Sequence, residues 1–419
     1  MTWEPPPRPE WVRVVNAGDV LPIAQEAALP LGRDALLAEA RAIAGIDGRA
    51  LDGFGDDAFV EPLDVLLRAL EHEAALTVLG RWITRRFLLR ILEVRAQTLA
   101  YVARDPGVVD EDVDAVFITG APRTGTTILH ALLALQPGVR VPEGWELLRP
   151  APPPDPDCFP DPARVVLADH ELRRPALVVS GLDAIHAYSG RMHKECVSAM
   201  SFAFASEEFT ARYHVPSYAE WLGRCDMGPA YGWHRLVLQV LQRRFRGSDW
   251  VLKSPVHLHS LPTLHDRYPD APIVFTHRDP LAVLASVTSL VATMRYACSD
   301  TVDFADVGRY HADLYARSLD RLVDLDVRGD VALDRAHHTR YAAFMRDPVA
   351  TTTSVGDALG RPVDDATADA MRAYLAAHPQ GAKGTHTYSF DDLGLDRAAT
   401  RARFARYQEH FAVPDEEIA

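Results

Sequence analysis

A glycine-rich loop carries the first groups in this sequence that could bind a phosphate. Residues 115–119 are an apolar run that predicts a buried strand, and residues 128–135 carry an apolar helix pattern. Between them, residues 120–127 read GAPRTGTT. Backbone N–H groups of such a loop, together with the N-terminus of the next helix, are suited to hold a phosphate. The alternative is a glycine turn that only connects the strand to the helix.

The loop has the outline of a P-loop but departs from it at one position. Gly120 and Gly125 are five residues apart and two threonines follow, yet Thr126 stands where a P-loop has its lysine. Arg123 lies inside the loop instead. Kinases and ATPases use that lysine on the β- and γ-phosphates, so the substitution disfavours nucleoside triphosphate chemistry. A P-loop kinase-like phosphotransferase and a non-catalytic nucleotide-binding protein remain the alternatives.

Two further basic residues come at the ends of predicted strands. Arg278 follows the apolar run 272–276, and Ser286 lies eight residues later in a predicted helix. Lys253 ends the run 250–253 and is one of three lysines among 44 basic residues. Ligands of open α/β sheets bind at the carboxyl ends of strands, and arginine is a bidentate partner for phosphate. Arg278 and Ser286 therefore predict a second anion site beside the loop, with a surface salt bridge from Arg278 to Asp279 as the alternative. Lys253 is expected to point into the same crevice.

The predicted elements alternate between strands and helices. Helical periodicity covers the segments 33–46, 61–104, 162–174, 206–213, 229–246, 258–268, 281–295 and 303–323, and a fourth strand is expected near 330–335. This alternation predicts parallel βαβ units, and hence an α/β fold with a P-loop-like parallel sheet flanked by helices. Residues 1–112 are expected to form a helical N-terminal region. Residues 113–419 are expected to form the α/β domain, with a helical insert at about 160–246.

Composition limits the class of protein. The chain has 419 residues, of which 48% are hydrophobic, and its net charge of −14 disfavours general binding to nucleic acid. No apolar run approaches the ~18 residues of a membrane helix, and the first residues lack the features of a secretory signal. Four scattered cysteines argue against disulfides, and no metal-ligand spacing surrounds His257 and His259. The prediction is a cytoplasmic protein without a metal; no oligomeric state follows.

The motifs together resemble the sulfotransferase family that uses 3′-phosphoadenosine 5′-phosphosulfate (PAPS). The resemblance is to a bacterial branch whose PRxGTT loop relates it to tyrosylprotein sulfotransferases. The matching segments are PRTGTT at 122–127, WELL at 145–148, WVLKSPVH at 250–257, THRDP at 276–280 with Ser286, KGTHTY at 383–388, FGDD at 54–57 and EPL at 61–63. The similarity therefore covers most of the chain.

The resemblance implies a role for each motif. The loop residues expected to bind the 5′-phosphosulfate are Arg123, Thr124, Gly125, Thr126 and Thr127. Arg278 and Ser286 would bind the 3′-phosphate, Lys253 would stabilise charge that develops during transfer, and Arg123 would polarise the sulfuryl group. Lys383 and Gly384 would close over the nucleotide. The implied reaction moves a sulfuryl group from PAPS to a hydroxyl of a small or lipophilic acceptor, releases adenosine 3′,5′-bisphosphate and needs no metal.

Sulfuryl transfer also needs a base that takes the acceptor proton. The resemblance offers a histidine after the lysine-bearing strand or a glutamate further along from the loop arginine. His257 lies four residues beyond the strand lysine, Glu143 lies twenty beyond the loop arginine, and Glu146 three further. Glu146 and His257 are the first candidates and Glu143 the third, against the ordinary alternatives of a helix cap and a solvated carboxylate. Glu195, in the insert, is a candidate for lining the acceptor pocket.

Overall fold

The computed structural model describes residues 3–46, 51–185, 188–245, 249–379 and 389–418. Lys383 and Gly384, which are predicted to close over the nucleotide, lie outside these residues. Within the described ranges, no helix combines the length and the apolar composition needed to cross a membrane. The fold in these ranges is arranged around one sheet.

That sheet is parallel and lies at the centre of the fold. Its strands are β1 (Ala115–Thr119), β2 (Val139–Arg140), β3 (Asp249–Lys253), β4 (Ile273–His277) and β5 (Ala336–Arg340). In the described part of the chain they form one five-stranded sheet in the order β2-β3-β1-β4-β5, with every neighbouring pair parallel. Phe117 of β1 lies opposite Leu252 of β3 and Ile273 of β4. The α/β fold class predicted from the sequence is confirmed.

Helices connect and cover the strands. In chain order the α-helices are α1 (Glu10–Asn16), α2 (Leu21–Ala27), α3 (Arg33–Ala44), α4 (Val60–His72), α5 (Val78–Arg104), α6 (Thr126–Leu133), α7 (Gly144–Leu148), α8 (Pro162–Leu172), α9 (Arg174–Val178), α10 (Leu182–Ile185), α11 (Val197–Met200), α12 (Glu207–Arg212), α13 (Pro216–Leu222), α14 (Gly228–Gln242), α15 (Leu261–Arg267), α16 (Pro280–Tyr296), α17 (Phe304–Arg328), α18 (Tyr341–Arg346), α19 (Pro348–Ala358), α20 (Asp365–Ala377) and α21 (Arg397–Phe411). Aspartate side chains cap the N-termini of α8, α16, α17, α19, α20 and α21, which satisfies N–H groups that have no partner inside the helix.

Two element boundaries differ from the prediction. The predicted helix 61–104 is divided into α4 and α5, because Ala75 takes a positive φ of 46° and the Thr77 side chain caps the start of α5. The strand expected near 330–335 begins later, at β5. Asp330 starts a short 3₁₀ turn there, since its carboxylate accepts a backbone N–H two residues on. Apolar periodicity does not register either of these local capping contacts.

The two faces of the sheet pack against different sets of helices. Successive side chains of a strand point to opposite faces, so Phe117 joins one hydrophobic cluster while Val116 and Ile118 join another. The first cluster combines helix and sheet residues such as Leu63, Leu88, Phe202, Tyr231 and Phe275. The second contains Leu129, Phe344, Val355 and Met371. The N-terminal helices and the insert thus share a core with the sheet, and the division at residue 112 stays a prediction.

Candidate active site

Three of the predicted motifs meet at one edge of the sheet. The glycine-rich loop follows β1, Lys253 ends β3, and Arg278 follows β4. Because β1 lies between β3 and β4 and all three strands are parallel, their carboxyl ends are neighbours. This edge is where open α/β sheets bind ligands. The sheet order therefore brings the loop, the lysine and the arginine together.

The glycine-rich loop is held against the end of β4 by a close backbone approach. Gly120 has a φ of +143°, and a Cβ atom there would lie 2.4 Å from the carbonyl oxygen of Thr276, so only glycine fits. The Thr124 hydroxyl donates to the Ala121 carbonyl at 2.8 Å and lies 2.5 Å from the Thr276 hydroxyl. Gly125, with a φ of +86°, precedes α6 and has no side chain to cap its first N–H groups. The loop is thus held in a fixed conformation, and the first N–H groups of α6 have no side-chain cap.

The two predicted anion-binding motifs are bonded to each other. Arg123 also has a positive φ, of 66°, and its Nε donates to the Ser286 hydroxyl at 3.0 Å. Arg278 Nη1 donates to the carbonyl oxygen of Arg123 at 2.7 Å, and its guanidinium lies over the Tyr341 ring, 4.0 Å from the centroid. The structure therefore places the loop arginine, Arg278 and Ser286 in one cluster of donors.

The C-terminal segment reaches this cluster and pairs with it. Arg278 Nε and Nη2 donate to the two carboxylate oxygens of Glu416 at 2.9 and 2.8 Å. The neighbouring Asp279 accepts the Leu281 N–H at 2.9 Å and the Glu416 N–H at 2.7 Å, and it forms an ion pair with Arg401. Asp279 is thus a buried helix cap bonded to the tail. Arg278 thus makes a bidentate contact with an anion, which in this structure is the carboxylate of Glu416.

Lys253 contacts both the loop and the insert. Its Nζ donates to Glu195 Oε1 at 2.5 Å and lies 3.4 Å from the Thr127 hydroxyl. The Cys196 N–H donates to the Lys253 carbonyl at 3.2 Å, which fixes the insert segment beside β3. The lysine side chain is buried, whereas 29% of the Glu195 side chain is exposed. The ion pair is therefore accessible from the side of the carboxylate.

Glu143 and Glu146 form a capping box at the start of α7. Glu146 is fully buried, accepts the Glu143 N–H at 2.9 Å and pairs with Arg140. Burial raises the pKa of the Glu146 carboxyl, while Arg140 acts in the opposite direction. Glu143 accepts from Trp145 Nε1 and from Arg191 Nε, each at 2.7 Å. Both carboxylates therefore hold a helix start and neutralise nearby cations, and their predicted role as the base stays a prediction.

His257 lies in a 3₁₀ turn, Pro255–His259, that directly follows the Lys253 strand. Its Nδ1 is 2.9 Å from the Tyr231 hydroxyl, and its ring meets the Phe117 ring edge-on. Burial holds the pKa of His257 well below its usual range, so the imidazole is neutral. Within the described ranges, its Nε2 is buried without a hydrogen-bond partner, and no three His, Cys, Asp or Glu side chains are grouped as metal ligands. A role for His257 as the base stays a prediction.

Several contacts of the site carry little or no signal in the sequence. Thr276 is part of the THRDP motif, so its place beside the loop could have been inferred. Tyr341 and Glu416 could not, because the contact between Glu416 and Arg278 joins residues 138 positions apart. No local pattern marks a carboxylate near the C-terminus as the partner of an arginine after β4.

Comparison with known proteins gives consistent matches along the chain. A sequence profile described as the sulfotransferase family matches residues 115–365, from the first residue of β1 to the start of α20. The crystal structure of sulfotransferase STF1 from Mycobacterium tuberculosis H37Rv is 31% identical with a TM-score of 0.76, covering 89% of this chain and 98% of that one. Sulfotransferase STF9 from Mycobacterium avium is 26% identical with a TM-score of 0.81, covering 91% and 97%. Both structural matches extend over more of the chain than the residues that the profile covers.

A further relative is named for its substrate. Omega-hydroxy-beta-dihydromenaquinone-9 sulfotransferase Stf3 of Mycobacterium bovis is 26% identical over 274 residues, which are 63% of this chain and 67% of the relative. The protein of the same name from Mycobacterium tuberculosis matches equally well. The predicted relation to tyrosylprotein sulfotransferases stays a prediction.

Replacing Glu146 should mainly lower stability. In Glu146→Gln the buried Arg140 guanidinium loses its carboxylate, and removing one partner of a buried ion pair costs ~3 kcal/mol or more. The free energy of unfolding, measured with urea, should fall by about that amount. Glu143 pairs with the half-exposed Arg191, so Glu143→Gln is the matched control and should lower the free energy of unfolding by less. Wild-type stability in Glu146→Gln would contradict the structural role of this carboxylate.

Proposed function

We propose that this chain, which belongs to the sulfotransferase family, transfers a sulfuryl group from PAPS to a hydroxyl of a lipophilic acceptor and releases adenosine 3′,5′-bisphosphate. The observation that carries the proposal is the single cluster formed by the motifs after β1, β3 and β4. It joins a phosphate cradle, Arg123, Arg278 and Lys253. A donor with two separate anionic groups matches a site with two separate anion-binding elements.

The glycine-rich loop and the two arginines bind different phosphate groups of the nucleotide. The loop N–H groups and Arg123 bind the 5′-phosphosulfate, because the closely packed Gly120 and the uncapped start of α6 leave room for an anion at the loop mouth. Arg278 and Ser286 bind the 3′-phosphate. The bidentate contact that Arg278 makes with Glu416 is the geometry in which a guanidinium holds a phosphate. Thr126 at the position of the P-loop lysine argues against the phosphotransferase alternative.

The reaction exchanges one sulfur–oxygen bond for another. The bond from sulfur to the bridging oxygen of the 5′-phosphate breaks, and a bond from sulfur to the acceptor oxygen forms. Lys253 stabilises the negative charge that develops on the bridging oxygen. The acceptor proton passes to Glu195, which replaces Glu146, His257 and Glu143 as our first candidate for the base. Its carboxylate contacts Lys253 Nζ and is partly exposed, whereas the other three are more deeply enclosed.

The acceptor enters from the side of Glu195. Tyr231 and Tyr315 are buried and Tyr310 is half-buried, and all three lie near the start of α12 in or beside the insert, so this part of the protein is rich in aromatic side chains. Pockets for lipophilic ligands are mainly apolar with a few polar groups. A relative named for a hydroxylated menaquinone derivative supports an acceptor of the same class.

Incubation with sulfur-labelled PAPS and a panel of hydroxylated lipids and phenols, followed by detection of labelled esters, tests the proposal. A protein that binds the nucleotide but sulfates no member of the panel would contradict a lipophilic hydroxyl acceptor.

Adenosine 3′,5′-bisphosphate should stabilise the fold more than 5′-AMP does. A ligand at about 100 times its dissociation constant adds roughly 2.7 kcal/mol, which a thermal melt resolves. Only the bisphosphate can engage both anion-binding elements, and Arg278→Ala should bring its melting shift down to that of 5′-AMP. Equal shifts by the two nucleotides in the wild-type protein would contradict the 3′-phosphate assignment.

Two replacements separate binding from chemistry. Lys253→Ala should lower kcat far more than it weakens bisphosphate binding, because its charge acts on the transition state. Glu195→Gln should lower kcat about 10²–10⁴-fold and leave nucleotide affinity near its wild-type value, as expected for a lost base. Glu143→Gln is the matched control and should keep near wild-type turnover. Full activity of Glu195→Gln, beside an inactive His257→Asn, would assign the base to His257.

Glu416 should compete with the nucleotide for Arg278. Glu416→Gln removes the negative charge that pairs with the Arg278 guanidinium. Calorimetry should therefore show that the bisphosphate binds about fivefold more tightly, which is equivalent to ~1 kcal/mol for a partly exposed ion pair. Glu417→Gln changes the neighbouring carboxylate and should leave affinity unchanged. Weaker binding by Glu416→Gln would mean that the tail orients Arg278 for the nucleotide and does not compete with it.

A further inference from the structure

A pocket lies between α5, α14 and the turn that precedes α4, and none of its lining residues belongs to the candidate active site. Its volume is about 420 Å³, within the range of roughly 300–1,000 Å³ that is usual for small-molecule sites. Its apolar wall includes the side chains of Phe59, Leu99 and Trp233. The FGDD segment at 54–57 also lines the pocket, through its glycine and its first aspartate. This segment carries part of the family resemblance and has no part in the candidate active site.

The FGDD segment helps to hold a buried guanidinium beside the pocket. Arg95 Nε donates to the Phe54 carbonyl at 2.6 Å, and Arg95 Nη1 donates to the Phe202 carbonyl at 2.8 Å. The guanidinium lies 4.3 Å from the centroid of the Phe59 ring and 4.5 Å from that of the Trp233 ring. Aromatic faces attract a guanidinium at such distances. The pocket therefore has a fixed positive charge next to its aromatic wall.

The other charged groups that line the pocket are Asp56 and Arg267. Asp56 Oδ1 lies 3.7 Å from Arg95 Nη2, and 78% of the Asp56 side chain is exposed. Arg267 is exposed, and its guanidinium makes no hydrogen bond or ion pair with any residue that the structure describes. Two guanidinium groups thus face one carboxylate, which leaves one excess positive charge. An apolar molecule with one anionic group matches this pocket in both shape of wall and charge.

A glycine inside α14 lines the pocket next to Arg267. Gly232 lies in the second turn of this helix, and glycine is a poor residue for a helix interior. Close packing does not require it, because among the described residues a Cβ atom at this position would meet only Arg267 Nη2, at an ordinary contact distance of 3.8 Å. The glycine therefore weakens the helix without a packing reason, and its effect is to leave space in the pocket.

We propose that this pocket binds an apolar molecule that carries one anionic group, with the apolar part against Phe59 and Trp233 and the anionic group paired with Arg267. A carboxylate and a sulfate ester share the chemistry that a guanidinium recognises, which is a delocalised negative charge on oxygen atoms. The sulfate ester of a lipophilic alcohol, which the proposed reaction forms, is one molecule of this kind. The site itself does not rest on the proposed function, since its residues take no part in the transfer.

Calorimetry with three naphthalene derivatives tests the proposal. The protein is titrated with 1-naphthyl sulfate, 1-naphthoate and 1-naphthol in excess adenosine 3′,5′-bisphosphate, which occupies the glycine-rich loop. At least one of the two anions should bind about tenfold more tightly than the neutral naphthol, because only an anion makes the charge-assisted contact. The anion that binds more tightly identifies the anionic group, and either result supports the proposal. Equal affinity for all three compounds, or no binding, would overturn it.

Two variants locate the bound anion. Gly232→Met fills the pocket and Arg267→Ala removes the charge beside it, so each should weaken binding of the tighter anion about tenfold. Arg224→Ala removes an exposed arginine that does not line the pocket, so it is the matched control and should leave the affinity unchanged. Wild-type affinity in Gly232→Met would place the anion elsewhere and contradict the proposal. These titrations need neither PAPS nor an acceptor, so their failure is distinguishable from failure of the proposed function.

The stability of Gly232→Ala tests the reason given for the glycine, even where the methionine variant does not fold. Alanine is the best helix former and its methyl group would meet no close neighbour, so the melting temperature of the ligand-free protein should rise. The melting shift produced by the tighter anion should be smaller than in wild type, because the methyl group takes part of the space. A lower melting temperature of the ligand-free variant would mean that packing requires the glycine. An undiminished anion shift would mean that the anion does not occupy the pocket. Either result would overturn the proposal.

Discussion

The close approach of Gly120 to the end of β4 is the constraint on which the site depends. With 2.4 Å between a would-be Cβ and the Thr276 carbonyl, the loop can leave β1 only along the neighbouring strand. That path brings the Arg123 carbonyl within hydrogen-bond distance of Arg278 and its side chain to Ser286. One missing side chain therefore joins two anion-binding motifs that lie 155 residues apart in the chain.

The insert completes the site from the other side. The Cys196 N–H donates a hydrogen bond to the Lys253 carbonyl. This bond fixes the position of the Glu195 segment relative to the lysine at the end of β3. The insert is also packed into the core shared by the sheet and the N-terminal helices. The core that stabilises the sheet thus also holds the insert segment that carries Glu195 beside Lys253.

The sequence alone predicts the nucleotide side better than the acceptor side. Strand, loop and arginine follow one another in short motifs, so periodicity and spacing locate the parallel strands, Arg123, Lys253 and Arg278. The base is different, because the resemblance of the WELL segment favours Glu146 as the base while its side chain is buried in a capping box. Glu195 reaches Lys253 across 58 positions, a contact that only the folded insert creates.

Under the proposed function, charge pairing explains how an acidic chain keeps a site for an anionic donor. At a net charge of −14 the overall field repels a nucleotide, so attraction has to come from local cations. In the free protein two of these cations already have carboxylate partners, Lys253 with Glu195 and Arg278 with Glu416. Each carboxylate partner compensates a positive charge that is largely buried. Binding of a polyanion would exchange one of these carboxylates for a phosphate at Arg278 while Glu195 stays beside Lys253. Under the proposed function, the cation that would bind the donor, Arg278, and the cation that would act during transfer, Lys253, are paired with carboxylates from different parts of the chain, so each can be altered separately.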